Sequence, residues 1–174
     1  MKKKDIWVSL AIIAAAGLTL LFYSQRTGYV GIDAGGANFV LRLRNNWLGH
    51  ESITSGAEPA AIGARIYRPQ FLSLSIGQGG HTWKIDSCGP WGNLARIKVR
   101  NNEATAIRLG APFLIKPVVK KTGSILSIGF AIIGQAGEQY QNFITKDNGA
   151  VTGAKITIID EAGNVLESGH FKYG

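Results

Sequence analysis

Asp33 closes an apolar stretch and runs directly into Ala34-Gly35-Gly36-Ala37. A carboxylate just ahead of glycines is a pattern that phosphate chemistry uses: the acid holds magnesium while the glycines let backbone N–H groups close on a phosphate. A hairpin turn between two strands needs the same residues and no ligand, and it is the preferred reading. Zinc or copper chemistry is not expected, because His50, His81 and His170 stand alone and no H-x-x-H or C-x-x-C pair supplies a cage. The single cysteine, Cys88, excludes an internal disulfide; with no histidine beside it, it reads as a small buried apolar group before it reads as a nucleophile. Neither a G-x-S-x-G elbow nor an S-x-x-K run is present. Glu51, Glu58, Asp86 and Glu103 are the acids a sugar-cleaving pair would draw on, and their separation along the chain leaves open whether any two meet. Together these residues point to a non-enzymatic protein without metal or cofactor.

Gly31-Ile32-Asp33-Ala34-Gly35-Gly36-Ala37-Asn38 resembles the first phosphate loop of acetate- and sugar-kinase type ATPases. That resemblance would imply a fold of two large halves and a second Asp-Gly phosphate loop. The chain is too short for both, so nucleotide is not expected.

The element that must position everything else is Ile6–Tyr23, IWVSLAIIAAAGLTLLFY, an uncharged run behind Lys2, Lys3 and Lys4. As a helix rising ~1.5 Å per residue it reaches ~27 Å, close to the ~30 Å hydrocarbon core of a bilayer. Its two hydroxyls, on Ser9 and Thr19, can bond back to helix carbonyls, so no polar group need face lipid unsatisfied. Trp7 and Tyr23 fall at the two headgroup layers, Arg26 follows at the outer one, and the lysines hold the N-terminus in the cytoplasm. Ala14-Ala15-Ala16 offers a signal-peptidase pattern after Ala16, but the apolar run continues through Leu18, Leu20, Leu21 and Phe22, which favours an uncut anchor. Ala11, Ala15 and Thr19 form a small-xxx-small stripe along which a second helix can pack. The expectation is a single-pass inner-membrane protein: a cytoplasmic basic tail over 1–5, the span over 6–23, a linker over 24–28 and a periplasmic body.

The whole chain has 23 glycines among 174 residues, and its apolar residues come in short Ile, Val and Leu runs, which suits many strands joined by tight turns. No stretch after Tyr23 keeps a helical apolar period for three turns, so no long second helix is expected. Without the first five residues the chain carries 16 basic and 10 acidic side chains. Such a surface attracts membrane lipid headgroups, acidic glycans or an acidic protein face. No basic run of the length nucleic-acid binding favours is present, so nucleic acid is not an expected partner.

Alternation locates that charge. In Asn38–Arg44, Phe39, Leu41 and Leu43 point one way and Arg42 and Arg44 the other; in Ala95–Arg100, Ala95, Ile97 and Val99 point inward and Arg96, Lys98 and Arg100 outward. If the two strands share a sheet, their outer faces make one basic surface, which serves solubility or a partner. Further strands are expected at Val30–Asp33, Ser52–Thr54, Ala64–Tyr67, Phe71–Ile76, Thr82–Asp86 and Ala104–Leu109, with turns at Gly56, Pro69 and Gly77–Gly80. Trp91, in the turn after Cys88, is placed to cap the core.

A break is expected near Gly110-Ala111-Pro112, dividing a first β part over 29–110 from a second over 111–174. Phe113–Val119 and Ile125–Ile133 bracket a turn at Lys120–Gly123, and ILSIGFAII, apolar on both faces, reads as a central strand buried on both sides. The tail KITIIDEAGNVLESGHFKYG closes as a hairpin about Asp160–Asn164. Its cadence resembles the closing hairpin of immunoglobulin-like and transthyretin-like modules on bacterial surface proteins, and the ends of uncharacterised single-pass bacterial proteins with small exported β domains. The resemblance implies an immunoglobulin-like second part and brings no functional residue with it. The expected architecture is thus an all-β body, a β-sandwich or two small sandwich-like parts, behind an N-terminal transmembrane helix. Its expected work is association, as an accessory or structural subunit among other membrane-protein subunits. The alternative is a cell-envelope glycan-binding module using a row of Trp47, Trp83, Trp91, Tyr67 and Tyr140, which more often serve as core. An envelope enzyme ranks last.

Overall fold

The computed structural model describes residues 26–45, 49–141, 143–151, 153 and 155–170. The expected span and its residues Trp7, Ala11, Ala15, Thr19 and Tyr23 lie outside the described residues, as do Trp47, Phe171 and Tyr173. Among the described residues no helix is long and apolar enough to cross a membrane.

What is described is all-β with several sheets. In chain order the strands are β1 (Thr27–Asp33), β2 (Asn38–Asn45), β3 (His50–Thr54), β4 (Ala60–Gly63), β5 (Ile66–Gln78) and β6 (His81–Ser87). A 3-10 turn at Gly92–Ala95 leads to β7 (Ile97–Lys98), β8 (Ala104–Arg108), β9 (Leu114–Thr122), β10 (Ile125–Ile133) and β11 (Gln139–Tyr140). β12 (Ile144–Lys146), β13 (Gly149–Ala150), β14 (Lys155–Ile159) and β15 (Val165–His170) complete them. The main sheet runs β13-β12-β6-β5-β2-β3, with β7 also on β5; β4-β1-β8 and β11-β10-β9 are three-stranded, and β14-β15 is a pair.

Alternation makes the core. Leu41 and Leu43 of β2 are wholly buried, as are Tyr67 and Leu72 of β5, and they join Val30 of β1, Leu109 after β8, and Ile132 and Tyr140 from beyond Gly110 in one apolar cluster. The segments on either side of Gly110 therefore share a core, and β12 shares the main sheet with β6. Glu138 ties them further. Its Oε1 accepts the Gly110 N–H at 2.7 Å and the Tyr140 hydroxyl at 2.8 Å, and its Oε2 accepts the Ala136 N–H at 2.9 Å. A buried carboxylate held by three donors is satisfied without a cation.

Several expectations change. Ala34–Ala37 does not close a hairpin: β1 pairs with β4 and, in parallel, with β8, whereas β2 pairs with β3 and β5. Gly35 and Gly36, at φ 63° and 83°, carry the chain from one sheet to the other. Pro69 is not a turn. It lies buried inside β5 opposite Leu43, where the register slips between Arg42 and Leu43, and a bulge is where a strand accommodates a residue without an N–H. β10 is central in its sheet but not buried along its length: Ile125 and Leu126 are exposed, and burial is complete only at Ala131 and Ile132. Its partner β9 is exposed at every position, so β9 and β10 form an arm that leaves the core at its base. The first strand begins at Thr27, inside the expected 24–28 linker. At the tail the expected hairpin is present, with Gly163 at φ 87° in its turn, but β14 and β15 pair only with each other among the described residues.

Candidate functional site

Two of the outward cations expected from the sequence, Arg96 and Lys98, line a groove of about 580 Å3 between β7 and β8. Arg108 faces them from β8, and Asn93 and Gln135 add amides at its ends. The sequence forces this arrangement. Ile97 and Val99 turn into the core, so their neighbours must turn out, and Ile107 does the same for Arg108. Among the described residues β7 pairs only through Ile97 and Lys98, in register with Tyr67 and Ile66, and β8 pairs as a strand only with β1, so no ladder joins β7 to β8 and a channel lies between them. Thr105 bridges it through a 3.4 Å bond from its hydroxyl to the Lys98 carbonyl. No ion pair to Arg96, Lys98 or Arg108 forms among the described residues. Three cations and no acid in a recess make a site for an extended anion.

Across β5 the charge continues. Arg44 of β2 is the direct register partner of Arg68 of β5, and Arg42 lies above the Phe71 ring at 5.4 Å. A recess of about 310 Å3 is lined by Arg44, Asn45, Arg68 and Gln70. Like charges placed directly across a ladder are unfavourable, and no carboxylate pairs with either among the described residues. Because β5 carries β2 on one edge and β7 on the other, Arg44, Arg68 and Lys98 share the outer face of one sheet. Arg100 differs from the rest of the expected set, since it bonds Glu103 at 3.2 Å. Arg68 and Arg108 are additions that the sequence marked only faintly: Arg108 alternates with Ile107 in a recognised strand, but Arg68 sits beside Pro69, which argued for a turn. Ala95, expected inward, is exposed because the 3-10 turn ends there. Arg26 is exposed at the first described position.

The other candidates disperse. Asp33 Oδ1 accepts the Gly35 N–H at 3.0 Å, so the acid and the glycines of the phosphate-like loop answer each other. His81 Nδ1 lies 2.7 Å from Asp147, which also accepts the Thr82 N–H; that backbone bond first, then His81, hold the Asp147 carboxyl below its usual range. His50 is exposed on β3, and His170 Nδ1 lies 3.3 Å from the Gly153 carbonyl. Among the described residues no three His, Cys, Asp or Glu side chains gather as metal ligands would. Asp86 is engaged by Lys84 at 3.3 Å and Glu103 by Arg100, while Glu51 is half-buried on β3 and Glu58 exposed in the following loop.

Cys88 is exposed, contrary to expectation. Ile85 and Ser87 take the inward positions of β6, which puts Cys88 outward as the strand ends. Of the aromatic row, Tyr67 and Tyr140 are core, and Trp91 is half-buried against the core as the expected cap. Trp83 is half-buried with the Lys146 ammonium 5.4 Å from its ring centre. Comparisons with protein-family models, with curated proteins and with solved structures return no match for this chain.

Proposed function

We propose that the chain works by binding and not by catalysis: a β-sandwich-like body, carried outside an inner membrane by the Ile6–Tyr23 anchor, serves as an accessory or structural subunit of a membrane complex. The observation that carries this is the groove of Arg96, Lys98 and Arg108 and, across β5, the opposed Arg44 and Arg68, all without a carboxylate partner among the described residues. Charge left in that state gains most from a partner whose acidic face neutralises it, and such pairing governs encounter rate and register. The Ala11, Ala15 and Thr19 stripe is the second contact, made within the membrane.

The test is affinity purification of full-length protein from its native membrane, followed by mass spectrometry, for the natural chain and for an Arg96→Glu, Lys98→Glu, Arg108→Glu variant. Co-purification of a partner with the natural chain, weakened at least tenfold by reversing three exposed charges, is the expected outcome. A lone monomer that crosslinks to nothing would end the proposal. The competing glycan-binding reading rests on the same cations. It predicts that an isolated body retains acidic polysaccharide. That fragment must begin by Arg26, whose carbonyl accepts the Ala64 N–H at 2.8 Å.

A further inference from the structure

An apolar cleft of about 330 Å3 opens between the main sheet and the base of the β9–β10 arm, and it shares no lining residue with the basic groove. Register explains its floor. Leu74, Ile85 and Ile144 stand side by side across β5, β6 and β12 as an inner row, and Ile76, Trp83 and Lys146 stand beside one another as an outer row on the same face. The facing wall is Phe113, Ile115 and Ile132, with Phe113 packed edge-on against Tyr140 at 5.3 Å. The rim is apolar and open: Ile76, Phe113 and Ile115 are 43%, 40% and 66% exposed. At the outer row sits one cation. Lys146 forms no ion pair among the described residues, and its neighbour Asp147 is already engaged by His81 and Thr82.

We propose that this cleft binds a single alkyl chain ending in an anionic group, the chain lying between Ile76–Trp83–Ile85 and Phe113–Ile115–Ile132 with its head at the Lys146 ammonium. The volume is that of a small-ligand site and the lining is mainly apolar: Lys84, which also lines it, is paired with Asp86 at 3.3 Å, and the Lys146 ammonium stands 5.4 Å from the centre of the Trp83 ring that borders the cleft. Backbone accounting decides against a peptide laid on the floor, while at the wall β9 pairs only with β10 among the described residues. β5, β6 and β12 each pair on both sides, so the floor has no free strand edge, and a peptide laid on it would leave its own N–H and C=O groups buried without partners. An alkyl chain has no such groups.

The test labels full-length protein in phosphatidylcholine nanodiscs with dodecanoic acid bearing a diazirine near its methyl end, and with the methyl ester of the same probe. The acid should label peptides containing Trp83, Phe113 and Ile115 about tenfold more than the ester does, as a charged head group held by Lys146 requires. Lys146→Ala should bring the acid down to the ester's level, and Ile115→Glu, at an exposed rim position, should reduce labelling by repelling the head and wetting the wall. Circular dichroism of both variants checks the fold, and Lys146→Ala decides alone if Ile115→Glu fails to fold. Labelling confined to other segments, or cleft labelling indifferent to Lys146→Ala, would overturn the proposal. So would a cleft that accepts probe only when a dimer is diluted, which would make the occupant a second copy of the chain.

Discussion

The buried Glu138 carboxyl accepts three hydrogen bonds and has no salt-bridge partner among the described residues. Removing the carboxylate strands the Gly110 and Ala136 N–H groups and the Tyr140 hydroxyl, and each buried unsatisfied group costs about 1–3 kcal/mol. Glu138→Ala should therefore lower unfolding free energy by about 3 kcal/mol or more in a denaturant titration, while Glu138→Gln, which keeps an acceptor oxygen, should cost less. The same residue sets the alkaline limit. Burial first, then the Glu138 charge and hydrogen bond, raise the Tyr140 hydroxyl above its ordinary value of 10.0. Burial, followed by Glu51, raises Tyr67 as well. A phenol whose folded value is raised binds its proton more tightly folded than unfolded, so this stabilisation is complete below pH 10 and is lost as pH climbs above it. Phenolate absorbance followed upward from pH 10 should appear from Tyr67 and Tyr140 only together with unfolding. Little of this is legible in the sequence: nothing in the seven residues GQAGEQY says that their acid points inward toward a glycine twenty-eight positions earlier.

At the scale of elements, the strands announced themselves and their neighbours did not. FVLRLR alternates visibly, because a half-buried strand must; ARIKVR alternates too, although only Ile97–Lys98 of it pairs as a strand, and the tail hairpin carries its turn chemistry in Asp160, Gly163 and Asn164. Pairing is a property of distant segments. The parallel meeting of β1 with β8 spans residues too far apart for turn residues to encode, so a hairpin was expected at Ala34–Ala37 where the chain changes sheets. ILSIGFAII misled for another reason: composition reports what a strand is able to bury, whereas only its terminal residues meet the core. The exposed arm gives a direct contrast. Val119→Thr and Leu126→Lys, on the outer arm, should alter stability by no more than about 0.5 kcal/mol, while Leu41→Ala at a fully buried site of β2 should cost about 2–5 kcal/mol. Chemical denaturation of the three variants checks both. A loss of several kcal/mol in the arm variants would mean that the arm is covered in the native protein.

For the whole molecule, the outer face of the main sheet and the β7–β8 groove gather arginine and lysine, the cleft is mainly apolar, and the arm mixes exposed isoleucine, leucine and valine with Lys116, Lys120 and Lys121; an apolar run long enough to cross a bilayer precedes them in the sequence. The excess of basic residues was countable from the sequence, and Arg42, Arg44, Arg96 and Lys98 were assignable to outer faces by alternation alone. Their union with Arg68 and Arg108 was not, because it needs β5 between β2 and β7. Binding through the proposed groove site should weaken with salt as exposed charges are screened, which a pull-down at rising ionic strength checks.

The groove cations are proposed to engage an acidic partner at the membrane. The most direct measurement is quantitative recovery of that partner with full-length protein from native membranes, compared between the natural chain and the Arg96→Glu, Lys98→Glu, Arg108→Glu variant at matched expression. A stoichiometric partner with the natural chain and at least a tenfold loss with the variant are expected. Equal recovery from both, or none from either, would contradict the proposal.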